Sequence, residues 1–92
     1  MTQTENIKLT LTKMLDLIKL SDAKDWEGII EPFSYEILDT PNETKREILS
    51  LYRGMGALND LTLHKDGYPL KKENEEFSFF KRQLFDLCLK DL

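Results

Sequence analysis

Arg53-Gly54-Met55-Gly56-Ala57-Leu58-Asn59-Asp60-Leu61 is the stretch on which the fold turns. Two glycines, followed by two side chains able to bond nearby backbone, interrupt a chain whose apolar residues otherwise recur at the helical period. A helix entering this stretch must stop. Gly54 is placed to end it in the left-handed conformation, and Gly56 is expected to meet a second backbone demand that a Cβ would obstruct. Asn59 and Asp60 are expected to satisfy the loop's backbone donors. Leu58, Leu61 and Leu63 fit either a short helical turn or a brief extended segment, and the short helix is the preferred reading.

Upstream, Ile48, Leu49, Leu51 and Tyr52 anchor a helix over 43–53, with Asn42 read as its N-cap and Thr40-Pro41 as the boundary before it. Further back, Trp26, Ile29, Ile30, Phe33 and Ile37 supply the apolar stripe of another helix, for which Ser21 or Asp22 is the expected cap. Pro32 lies inside it, removing one donor and crowding the carbonyl of Gly28, so a kink or break is expected there. Ile7, Leu11, Met14, Leu15 and Ile18 mark a first helix over about 4–20, with Leu9, Leu17 and Leu20 widening its face. Downstream, residues 64–69 read as a surface turn. Phe77, Phe80, Leu84, Leu87 and Cys88 then stripe a last helix, capped at Asn74 or starting a few residues earlier. The sum is all-α: four main helices in a small bundle, with an irregular Gly-rich connection after the third.

Ninety-two residues make one domain, 1–92, able to bury roughly 60 to 65% of the surface its unfolded chain exposes. With 40% hydrophobic and 33% charged residues, the composition suits a folded helical protein. The polar start lacks the basic and apolar runs of a signal peptide, and no stretch approaches the ~18 apolar residues of a membrane span. A cytoplasmic protein without membrane partners is expected.

Chemistry-bearing residues are sparse. His64, the one histidine, stands in the turn, and Cys88, the one cysteine, shares an apolar face with Leu84 and Leu92. A thiol there acts as a small hydrophobe. No general base is placed to activate it, so no catalytic residue is assigned and the chain is read as a non-enzyme. His64 and Cys88 lack the spacing of a structural zinc site, and Gly54-Met55-Gly56 lacks the Lys-Ser/Thr pair of a phosphate loop. No metal or cofactor is expected.

Charge is the extended clue. Residues 22–47 hold eight acids against three bases, a net of minus five, while the rest of the chain nets plus one. Phosphate would be repelled by such a surface, which disfavours nucleic acid as a partner. A concentrated acidic surface suits a basic protein partner; the bland alternative is a charged face that is merely solvated.

The segment 53–61, preceded by Ile48-Leu49-Ser50-Leu51-Tyr52 and followed by a helix holding Asn74, resembles a family of small bacterial proteins marked by Gly-Met-Gly-Ser-Leu/Phe-Asn-Asp-Leu. Trp26 matches the tryptophan of that pattern, Ala57 stands where serine is more usual, and the similarity spans about 26–87. Proteins of this design resemble the immunity proteins of contact-dependent growth inhibition and other polymorphic toxin systems. The resemblance implies a cognate toxin domain as partner, frequently a basic nuclease, neutralised by binding and not by chemistry. On that reading Asp22, Asp25, Glu31, Glu36, Asp39 and Glu43 are the expected partner-binding residues, while Gly54, Gly56, Asn59 and Asp60 are architectural. The alternative is a self-associating structural or adaptor domain, with Phe79 and Phe85 forming a weak homodimer seam.

Overall fold

A computed structural model describes residues 2–90. Helix α1 (Gln3–Lys19) starts at a capping box: the Thr2 hydroxyl accepts from the Glu5 N–H at 3.1 Å, and the Glu5 carboxylate accepts from the Thr2 N–H at 3.1 Å. Ile7, Leu11, Met14 and Ile18 are buried as the period requires. Leu17 joins them, but Leu9 and Leu20 face outward, so the apolar face is narrower than the sequence suggests.

Helix α2 (Lys24–Asp39) follows a tight joint. Neither Ser21 nor Asp22 caps it; the N-cap position is Ala23, with no side-chain bond. The Ser21 hydroxyl instead closes α1, donating to the Ile18 carbonyl at 2.7 Å and accepting from the Ala23 N–H at 3.1 Å. Asp22 serves the hairpin described below. The helix continues through Pro32 without a break. Gly28 and Pro32 are both exposed, so water can replace the donor that the Gly28 carbonyl loses. Ile30, Phe33 and Ile37 are buried, whereas Ile29 is exposed and leaves the core stripe.

Helix α3 (Pro41–Ser50) begins two residues earlier than expected, because Pro41 sits at its first turn, where a missing N–H costs nothing. Thr40 holds the cap position and Asn42 is an exposed first-turn residue. The helix also ends earlier, at Ser50, and residues 51–53 tighten into bonds to carbonyls three residues back. Gly54 (φ 84°) and Gly56 (φ 73°) then reverse the chain. The Leu58 N–H closes this loop on the Leu51 carbonyl at 2.7 Å, delivering Leu58 fully buried at the head of a 3-10 turn, Leu58–Asp60. The preferred short helix is therefore present over Leu58–Asp60 only; Leu61 and Leu63 lie beyond it, with Leu61 extended.

The surface turn is a minimal hairpin, β1 (His64–Lys65) antiparallel to β2 (Tyr68–Pro69), with His64 opposite Pro69 and Lys65 opposite Tyr68. Asp66 (φ 52°) and Gly67 (φ 84°) form its two-residue loop, the backbone that an Asp-Gly pair favours between strands. Helix α4 (Lys71–Leu89) starts at once, so Asn74 lies one turn inside it and is not the N-cap. Its amide is engaged elsewhere, accepting from the Leu63 N–H at 2.7 Å and donating to the Leu63 carbonyl at 2.9 Å, as a neighbouring strand would.

The four helices close a ring: α1 packs on α2 and α4, and α3 packs on the same two. The core is shared by Ile7, Leu11 and Met14 of α1, Ile30 and Ile37 of α2, Ile48 of α3, Leu58 and Leu63 of the connection, and Phe77 and Leu84 of α4. Each such side chain contributes roughly 1.5–3 kcal/mol by leaving water.

Candidate partner-binding surface

Helical spacing sets out the acidic residues of α2. Asp25, Ile29, Pro32, Glu36 and Asp39 recur at intervals of four and three residues, a single stripe beside the core face, and all five are exposed. The stripe runs for about 21 Å at the helical rise. Glu43 is exposed in the first turn of α3, beyond the non-helical joint at Thr40. None of these carboxylates lies within ion-pair distance of a base; among the described residues the pair is Lys65 with Asp22, at 3.5 Å.

The remaining two expected residues stand apart. Glu31 projects from the other flank of α2 with Tyr35 and Leu38, beside Lys8 of α1, whose Nζ donates to the Ser34 carbonyl at 2.9 Å. Asp22 is committed to the fold: its Oδ2 accepts from the Asp66 N–H at 2.9 Å and its Oδ1 faces Lys65. The Asp66 N–H, followed by Lys65, holds this carboxyl below its ordinary range. The Asp22 N–H also donates to the His64 carbonyl at 2.8 Å, so this residue ties the hairpin to the α1–α2 joint.

Lys45 changes the charge of the surface. Counted from sequence it offsets the acids, but it is buried, with its Nζ donating to Gln3 Oε1 at 3.0 Å and to the Lys90 carbonyl at 3.3 Å. Gln3 Nε2 donates to the Leu87 carbonyl at 2.7 Å, so the two side chains together close the C-terminal end of α4, where the helix dipole favours a cation. Of the three bases over 22–47, only Lys24 and Arg46 remain on the surface. The exposed region is more acidic than its sequence count.

At the glycine loop, a Cβ built on Gly54 or Gly56 meets nothing within 4 Å, so the expected obstruction at Gly56 does not exist; the demand is the positive φ alone. Asn59 and Asp60 are exposed, and the turn is held by a different residue. Lys81 of α4 is buried, and its Nζ donates to the Leu61 carbonyl at 3.1 Å and the Asn59 carbonyl at 3.3 Å, lying 5.1 Å from the Phe77 ring centroid. Burial pushes the Lys81 ammonium below its usual range, against the pull of Asp60. Sequence reasoning missed both buried lysines. The signal was there: Lys81 falls on the stripe of Phe77 and Leu84, and Lys45 sits one turn before Ile48.

Cys88 is buried, and burial raises its thiol to about 12 against a weaker opposing pull from Lys45, so no thiolate is supplied near neutral pH. Tyr52 donates to the Lys81 carbonyl at 2.7 Å, and burial raises its hydroxyl too. Among the described residues no three His, Cys, Asp or Glu side chains gather as a metal site requires, and no helix is long and apolar enough to cross a membrane.

Trp26 of α2 and the glycine loop, distant in sequence, line one hollow of about 290 Å³ with Asp60, Leu61 and Thr62. They belong to one sequence unit as well. A family model matches residues 19–71, which takes in α2, α3, the glycine loop and the hairpin. The chain belongs to the DUF6966 family, a domain of unknown function. No curated protein and no solved structure matches it. The DUF6966 segment holds the acidic stripe and the hollow, while nearly all of α1 and α4, which complete its core, lie outside the match.

Proposed function

We propose that this protein binds a basic protein partner through the acidic stripe of α2 together with Glu43 of α3, and that it acts as a cytoplasmic immunity protein neutralising a toxin domain. The observation that carries the reading is the line of exposed carboxylates at Asp25, Glu36 and Asp39, with Glu43 exposed on the next helix, none of them in an ion pair among the described residues. Removal of Lys45 from the surface strengthens it.

Opposite potentials speed encounter and fix orientation, while a desolvated apolar contact slows release. Both are supplied on the stripe, where Ile29, 42% exposed, stands between Asp25 and Glu36. A basic cleft that ordinarily holds nucleic acid would be filled by a rod with carboxylates towards its two ends, Asp25 about 16 Å along the helix from Glu36 and Glu36 about 4.5 Å from Asp39. Inhibition then needs occupancy and no reaction. The resemblance in the glycine-centred segment supplies the toxin context; the stripe supplies the chemistry.

The test is affinity capture from the native host at low salt, with the tagged chain and a variant carrying Asp25→Lys, Glu36→Lys and Asp39→Lys. The chain should retain a basic toxin domain, and the variant should lose at least about tenfold of that capture, since charge reversal replaces attraction with repulsion. Helical circular dichroism should stay unchanged because all three residues are exposed. Equal capture by the variant would remove the stripe from the mechanism.

A further inference from the structure

Helix α4 carries two stripes. Phe77, Lys81, Leu84 and Cys88 face the core, and all are buried. Phe79, Arg82, Asp86 and Leu89 recur at intervals of three, four and three residues on the opposite face, and all are exposed, Phe79 by 63% and Leu89 by 51%. Arg82 and Asp86 stand one turn apart yet do not pair with each other within 4 Å. On either side of the ridge they form runs a hollow: one of about 330 Å³ beside Phe79 and Leu87, the other of about 540 Å³ beside Tyr52 and Phe85. Phe85 is itself half-buried, its ring 5.0 Å from that of Tyr52, so it is a wall of the hollow and not an outward seam residue.

We propose that this face pairs with the same face of a second copy of the chain, the two α4 helices running antiparallel about a two-fold axis level with position 84. The order of residues selects that arrangement. In it Arg82 of each copy meets Asp86 of the other, and Phe79 of each meets Leu89 of the other, because both pairs are centred on position 84. A two-fold interface requires this self-complementarity. A parallel pairing would set Arg82 against Arg82 and Asp86 against Asp86, which like-charge repulsion disfavours. The flanking hollows give each ridge a groove to enter, as helix packing requires.

The contact from Phe79 to Leu89 is about 15 Å long and, along one helix about 10–12 Å wide, covers on the order of 200 Å², well short of the roughly 800 Å² per partner typical of a stable complex. The dimer is therefore weak and concentration-dependent. It is also separate from the acidic stripe, which lies on α2, and from the DUF6966 match, which ends at residue 71. Loss of one interface leaves the other intact.

Sedimentation equilibrium of the full chain, over about 10 μM to 1 mM, tests the pairing with four variants. The natural chain should show a monomer–dimer equilibrium, and R82D or D86R alone should weaken it about tenfold or more by opposing like charges. The double swap R82D/D86R should restore it to within about threefold, since the exchanged charges again face their opposites across the two-fold axis. F79S should abolish it while leaving circular dichroism unchanged. A chain that stays monomeric throughout, a double swap no stronger than the single variants, or a dimer indifferent to R82D, D86R and F79S overturns the proposal.

Discussion

Asn74 suits a helix start by residue type but instead pairs with the backbone of a residue eleven positions earlier, so its replacement by alanine is a sharp test of the fold. Leu63 is fully buried, and its N–H has the Asn74 Oδ1 as acceptor at 2.7 Å. Removing that acceptor leaves a buried donor unpaired, a cost of about 1–3 kcal/mol. The Leu63 carbonyl suffers less, because the Leu70 N–H also donates to it at 2.9 Å; losing the Asn74 Nδ2 bond there costs about 0.5–1 kcal/mol. Alanine is the better helix former by about 0.6 kcal/mol, which offsets part of the loss. Asn74→Ala should therefore destabilise the protein by about 2 kcal/mol, lowering Tm by roughly 8–16 °C for a domain of this size. Asn74→Asp should be no better, since it keeps the acceptor but turns a carboxylate toward the Leu63 carbonyl. Asn42→Ala, at an exposed first-turn position that caps nothing, should stay within about 0.5 kcal/mol. Urea and thermal unfolding followed by circular dichroism give the energies, and amide exchange at Leu63 locates them. A loss below about 0.5 kcal/mol for Asn74→Ala, or unchanged protection at Leu63, would refute the reasoning.

The glycine loop and the buried thiol give two further expectations. Gly54→Ala should cost about 1–2 kcal/mol by forcing a side chain to positive φ, although the added Cβ meets no neighbour within 4 Å, and D-alanine, which favours positive φ, should be better tolerated at the same position; equal melting of the L- and D-alanine forms would show that φ is not the constraint. Cys88 has its thiol raised from an ordinary 9.0 to about 12, so the stability it contributes is complete below pH 9 and lost as pH rises towards 12, by up to about 1.4 kcal/mol per pH unit. Cys88→Ala should flatten that part of the stability–pH curve, measured by urea unfolding, and an unaltered slope would place the alkaline sensitivity elsewhere.

Much of the architecture is legible in the sequence because it rests on period and on backbone preference. Apolar spacing marks the buried faces of α1 and α4, and the positive φ of Gly54 and Gly56 follows from the absence of a side chain. Helix ends are less legible. Ser21, Asp22, Asn42 and Asn74 are all good cap residues by type, and none of them caps the helix assigned to it, because each has a stronger claim elsewhere or, for Asn42, sits two positions past the cap. Ser21 seals the end of α1, Asp22 holds the hairpin, and Asn74 pairs with Leu63. Pro41 occupies the first turn that Asn42 is expected to introduce. The candidate surface divides the same way. Asp25, Glu36 and Asp39 share a face by helical spacing alone, whereas the commitment of Asp22 to Lys65 and Asp66 depends on a contact across more than forty residues.

By itself the sequence determined that this chain is helical, where it reverses, and which third of it concentrates the acids, since these depend on local spacing and composition. Only the tertiary structure decided the fate of individual polar side chains. Lys45 and Lys81 are identical in type to lysines that lie in water, yet one closes the end of α4 and the other holds the loop after Gly56. The reason is that a buried ammonium persists only where carbonyl and amide acceptors converge on it, and here those acceptors come from segments that folding alone brings together.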